Sequence, residues 1–90
     1  SLFMKALSEE SFIKLSLAQQ VKAIYSEGTF VVAIRYYKYK INLYQLEDYF
    51  VEVFYNHKLD RIERMQILSK TTSRMKFYTD QIKLPNNLTA

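Results

Sequence analysis

The sequence predicts an α+β domain: an N-terminal helix or helix pair, an antiparallel three- to four-stranded meander, and a C-terminal helix. Three observations carry it. Apolar residues recur at helical spacing up to residue 27 and again near the C-terminus. Between residues 29 and 68 the apolar period shortens to two. That middle stretch also holds the rings: of 8 Tyr and 6 Phe in the chain, nine lie between residues 29 and 55, and aromatic density of this kind favours strand.

The helical region spans 4–27, where Met4, Leu7, Phe12, Leu15, Leu17, Val21 and Ile24 form the apolar stripe. It carries two start signals. Ser8 ahead of Glu9 and Glu10 reads as an N-cap followed by first-turn acids. Ser16 ahead of Gln19 has capping-box spacing. The expectation is two short helices broken near Ser16, or one helix bent there. Gly28, the single glycine, follows at the place of a left-handed C′ residue.

The sheet spans 29–68. Thr29 to Arg35 is apolar on both faces until its last residue, and Lys40 to Leu46 is a second strand. Residues 36–39 contain no Gly, Pro or Asn, and read either as a bend in a long strand or as a short connection. Glu47-Asp48 is a two-residue hairpin turn, Tyr49 to Tyr55 a third strand, 56–60 a loop, and Arg61 to Leu68 a fourth strand. A two-residue turn at 47–48 pairs Leu46 with Tyr49, Tyr44 with Val51 and Ile41 with Phe54. A helix over 69–83 places Met75, Tyr78 and Ile82 on one stripe and stops ahead of Pro85. A loose tail covers 85–90.

Ninety residues form one domain; size scaling buries about 65% of the surface of the unfolded chain. Thirteen Lys and Arg against nine Asp and Glu give +4. That is mildly basic, short of the dense cationic tracts of dedicated nucleic-acid binders. Zero Cys excludes disulfides, thiolate metal sites and a Cys nucleophile, and fits a cytoplasmic protein. One His excludes a multi-His metal site, and one Gly excludes glycine-rich phosphate loops. Neither a membrane span nor a secretory signal pattern is present. No cofactor and no metal are expected.

Gly28-x-Phe30, the run from Arg35 through Tyr37 to Lys40-Ile41-Asn42-Leu43-Tyr44, Val51 to Asn56, and Arg61-Ile62-Glu63 together resemble small bacterial proteins of unknown function. The resemblance covers 28–67. It implies a cytoplasmic bacterial protein and carries no activity.

No pattern supports an enzyme. His57 sits in a loop of five residues, which offers neither dryness nor an orienting partner. Glu9-Glu10 and Glu47-Asp48 are sequence neighbours whose side chains diverge. The distinctive string is Arg35, Tyr36, Tyr37, Lys38, Tyr39 and Lys40, with Tyr44 beyond it. One reading is an edge strand with tyrosines packed by one face and lysines guarding the edge. The alternative is RNA or single-stranded DNA binding, with rings stacked on bases and cations on phosphates. Both sheet faces are apolar, since Tyr49, Val51, Val53 and Tyr55 alternate with Phe50, Glu52 and Phe54. Helices can cover one face, which leaves the other for a partner. The functional expectation is therefore a non-catalytic interaction module that self-associates through its sheet as a homodimer. Another protein is a further candidate partner.

Overall fold

A computed structural model describes residues 7–81. Two helices, α1 (Glu9–Lys14) and α2 (Leu17–Glu27), precede four strands: β1 (Thr29–Tyr36), β2 (Tyr39–Leu46), β3 (Tyr49–Asn56) and β4 (Arg61–Ile67). A short helix, α3 (Met75–Thr79), closes the described chain. The strands form one antiparallel sheet in the order β1-β2-β3-β4.

Both predicted helix starts are present. The Ser11 amide donates to the Ser8 hydroxyl at 3.1 Å. Ser16 and Gln19 form a full capping box, at 3.2 and 3.1 Å. The chain is therefore broken at Leu15, which is extended, into two helices. Gln20 ties them together by donating to the Phe12 carbonyl at 3.0 Å.

Gly28 departs from expectation. Its backbone is extended (φ −80°, ψ 153°), so α2 feeds straight into β1 without a left-handed residue. Its glycine identity has another cause: a Cβ there would lie 2.7 Å from the Ile24 carbonyl oxygen.

Residues 36–39 form a hairpin, with Tyr36 opposite Tyr39 and Tyr37 at φ 56°. Glu47 takes the same position in the second hairpin, also at φ 56°. The pairing of β2 with β3 has the predicted register throughout, including Leu46 with Tyr49, Tyr44 with Val51 and Ile41 with Phe54. The third turn is set by Asn56, whose side-chain oxygen accepts from the amides of Lys58 (2.9 Å) and Leu59 (3.1 Å).

Two bulges adjust the faces. Val31 is the extra residue in β1, and Glu63 the extra residue in β4. The second brings Glu63 to the same side as Arg64.

The two faces have separate cores. On one, which we term the helix face, α1 and α2 bury Phe12, Ala23 and Ile24 against Leu46, Tyr49 and Val51. On the other, the strap face, residues 68–81 cross the sheet and bury Leu68 and Tyr78 against Ile34, Ile41, Leu43, Phe50 and Phe54. The chain thus covers part of both faces itself, and neither is left wholly for a partner.

The C-terminal helix is shorter than the predicted 69–83. Ser69, Thr71 and Thr72 bond one another and nearby backbone, including the Ser69 amide to the Thr72 hydroxyl at 3.0 Å. Such local bonds compete with the helix, and only Met75–Thr79 is helical. Ile82, Lys83 and the tail 85–90 lie outside the described residues, as do residues 4–6 of the predicted helical region.

Candidate functional site

The string 35–40 does not form one surface. Tyr36 and Tyr39 pair across the first hairpin and share the strap face. The ring of Tyr39 meets Phe54 edge-on at 5.3 Å, and its hydroxyl donates to Glu63 at 2.8 Å. The ring of Tyr36 lies beneath the Arg74 guanidinium, 5.3 Å away. Tyr37 and Lys38 occupy the turn, where Tyr37 is 88% exposed. Arg35 and Lys40 stand directly opposite each other. By alternation they share the helix face with Tyr55 and Tyr44.

Lys40 also lies on β2, an inner strand, so it cannot guard an edge. The edges are β1 and β4.

The helix face is roofed unevenly. Tyr49 fixes the start of α1 by donating to the Leu7 carbonyl at 3.0 Å, close to the β2–β3 turn. At the opposite end, Arg35, Lys40 and Tyr55 form the outermost row on this face. A cleft of about 80 Å³ runs between α2 and the sheet, lined by Val21, Tyr25, Asn42, Tyr44, Tyr55 and Ile62 among others. Rings project around it. Tyr25 is 71% exposed and Phe30 53% exposed, and Phe30 packs edge-on against Tyr44 at 5.7 Å. Burial holds the Tyr44 hydroxyl above the usual tyrosine value, with Tyr25 adding to it.

Charge is segregated along the strands. The end with the first and third turns carries Arg35, Lys38, Lys40, Lys58 and Arg61. Its two described carboxylates, Asp60 and Glu63, are engaged by tyrosines. Tyr55 donates to Asp60, and that bond raises its pKa. Glu63 accepts from Tyr39 and, at 3.0 Å, from Asn56. The Tyr39 bond, then Asn56, Lys38 and Arg61, hold its carboxyl below the ordinary range despite some desolvation.

The opposite end carries Glu9, Glu10, Glu47 and Asp48, with Lys70 just beyond the end of β4. The field of the carboxylates is felt at Tyr49. Burial, then Glu47, Glu9 and Asp48, push its hydroxyl up to about 12.

A second polar cluster lies in the strap-face core. Glu52 is fully buried on β3. Arg74 grips it with two bonds, Nε to Oε2 at 2.8 Å and Nη2 to Oε1 at 2.7 Å. The Tyr78 hydroxyl donates to Oε2 at 2.7 Å. Burial, with the Glu52 charge adding, raises the Tyr78 pKa far above its usual value. No buried side-chain polar atom among the described residues lacks a partner. With both carboxylate oxygens engaged, this triad acts as a clamp that fastens the strap to the sheet. The sequence held one signal for it: a lone Glu flanked by Phe50 and Phe54 on an apolar face must find a cation.

His57 is exposed, its ring edge-on to Tyr55 at 5.4 Å. No group of three or more His, Cys, Asp or Glu among the described residues could hold a metal ion. No helix among them is long and apolar enough to cross a membrane. Compared with protein-family models, curated proteins and solved structures, the chain matches none.

Proposed function

We propose that this chain is a non-catalytic interaction module of the cytoplasm that pairs with a second copy of itself through the helix face of its sheet. The observation that carries this is the incomplete roof of that face: Tyr25 of α2 stands exposed at a cleft floored by the sheet, and Phe30 stands exposed on the edge strand β1, packed against Tyr44 of the same cleft. Large rings in water at a contiguous site mark association surfaces rather than chance exposure. On the strap face, residues 68–81 cover the sheet core, and the exposed rings, Tyr37 and Phe77, flank Tyr36 at its margin, away from that cleft.

Sedimentation equilibrium of the purified protein at micromolar concentration tests the proposal. The expected mass is that of a dimer, with Tyr25→Ala and Phe30→Ala each shifting it toward monomer. A monomer for the unsubstituted protein refutes it.

RNA or single-stranded DNA is the second reading. It draws on Arg35 and Lys40, two cations set opposite one another beside Tyr55. Rings next to cations suit single strands, and binding would weaken steeply with salt.

A further inference from the structure

Two copies can share the helix face in several orientations, and the distribution of charge selects among them. We infer that the second copy lies antiparallel, with the basic end of each protomer over the acidic end of the other. The inference rests on the self-association proposed above and specifies its geometry.

Electrostatics is the first argument. Arg35 and Lys40 are directly opposed across β1 and β2, and like charges so placed repel. The carboxylates at the same end, Asp60 and Glu63, are engaged by Tyr55 and Tyr39, so carboxylates of a partner would relieve this repulsion. The same molecule carries Glu9, Glu10, Glu47 and Asp48 at its other end. A parallel arrangement sets cation on cation and carboxylate on carboxylate. An antiparallel two-fold arrangement satisfies both ends at once, because a two-fold interface repeats each contact.

Shape is the second argument. A sheet of four strands and about eight residues presents a face of about 500 Å², and the helices leave bare only its outermost row, Arg35, Lys40 and Tyr55. A stable dimer needs roughly 600 Å² or more from each partner. The bare sheet is therefore too small, and the helices must contribute. Their exposed apolar residues are Ile13, Leu17 and Tyr25. Because α1 begins at the acidic end, an antiparallel partner brings its helices over the bare basic end. Each copy then supplies the roof that the other lacks.

Charge reversal tests this directly. The variants are Arg35→Glu/Lys40→Glu, Glu47→Lys/Asp48→Lys, and all four changes in one chain. All are surface positions, and circular dichroism checks that each variant folds. The expected result is a dimer for the unsubstituted protein, at least a tenfold weaker dimer for each double variant alone, and restored association both in the equimolar mixture and in the fourfold variant. A dimer indifferent to every reversal overturns the antiparallel geometry and leaves self-association standing. A monomeric unsubstituted protein overturns self-association itself. Binding of a mixed oligonucleotide pool at 150 mM salt, lost in Arg35→Glu/Lys40→Glu with the oligomeric state unchanged, assigns the basic end to nucleic acid and also overturns the inference.

Discussion

Replacing Arg74 with Met removes the cation from a carboxylate that has no access to water. Glu52 is 0% exposed and takes two bonds from Arg74 and one from Tyr78. In Arg74→Met the apolar stem persists, but Glu52 keeps only the Tyr78 hydroxyl. An uncompensated buried charge of this kind costs about 3–5 kcal/mol. A domain of this size has roughly 5–15 kcal/mol in all, so the variant approaches the edge of folding. For 60–100 residues, each kcal/mol moves Tm by about 4–8 °C, so the fall is at least ~12 °C. Tyr78→Phe removes a single bond to a charged acceptor and costs about 1.5–3 kcal/mol, less than Arg74→Met. Guanidinium unfolding followed by circular dichroism measures both. A loss below ~1 kcal/mol for Arg74→Met, or a larger loss for Tyr78→Phe, would refute the clamp.

Three further outcomes are expected. Val53 is 3% exposed in the middle of β3, so Val53→Ala costs about 1–3 kcal/mol, whereas His57→Ala at the exposed turn stays within ~0.5 kcal/mol; chemical denaturation ranks them, and the reverse order contradicts the face assignment. Gly28→Ala sets a methyl 2.7 Å from the Ile24 carbonyl and destabilises by about 1–3 kcal/mol, where an unstrained extended glycine would give a gain of about 0.4–1 kcal/mol; the sign of the change in the same assay decides. Tyr49 holds its proton up to about 12 when folded against about 10 when unfolded, so its contribution is complete below pH 10 and is lost as pH rises toward 12; alkaline unfolding monitored by tyrosinate absorbance checks this, and an unchanged pH profile in Tyr49→Phe would count against it.

What the sequence made legible were the features that local rules encode. Ser8, and Ser16 with Gln19, marked both helix starts because a capping side chain bonds within three residues of itself. The β2–β3 register followed from Glu47-Asp48, since a two-residue turn fixes every pair behind it. The first hairpin was harder to read because Tyr37 takes a positive φ without being Gly or Asn, at a cost of about 1–2 kcal/mol. Seven residue pairs between β1 and β2 hold it there. The string 35–40 misled for the same reason. A turn inside it sends Tyr36 and Tyr39 to one face and Arg35 and Lys40 to the other. The bulge at Glu63 was also invisible, because an extra residue shows only against the partner strand. Arg74, 22 positions from Glu52, was likewise beyond any local rule.

The buried acid has a further consequence, because this sheet is apolar on both sides. The helix pair and the strap are each amphipathic covers, and hydrophobic burial alone does not say which cover belongs on which face. Glu52 does. It stands on the strap face, and the strap brings Arg74 and Tyr78 to it. Were the helix pair to dock there instead, Glu52 would lie under Phe12, Ala23 and Ile24, the residues the helices bury, without a cation. A slip of one residue in β3 would have the same effect, because it moves every side chain to the other face. Either error leaves a desolvated carboxylate and costs several kcal/mol. The variant Glu52→Leu/Arg74→Met/Tyr78→Phe removes the charge, the cation and the hydroxyl together. Its stability should stay within about 1–2 kcal/mol of the unsubstituted protein or exceed it, as buried ion pairs replaced by apolar groups of like volume commonly do. Its packing should be less unique, seen as dye binding and weakened near-ultraviolet dichroism at full secondary-structure content. A variant that is stable and retains the original near-ultraviolet spectrum would show that the covers find their faces by shape alone.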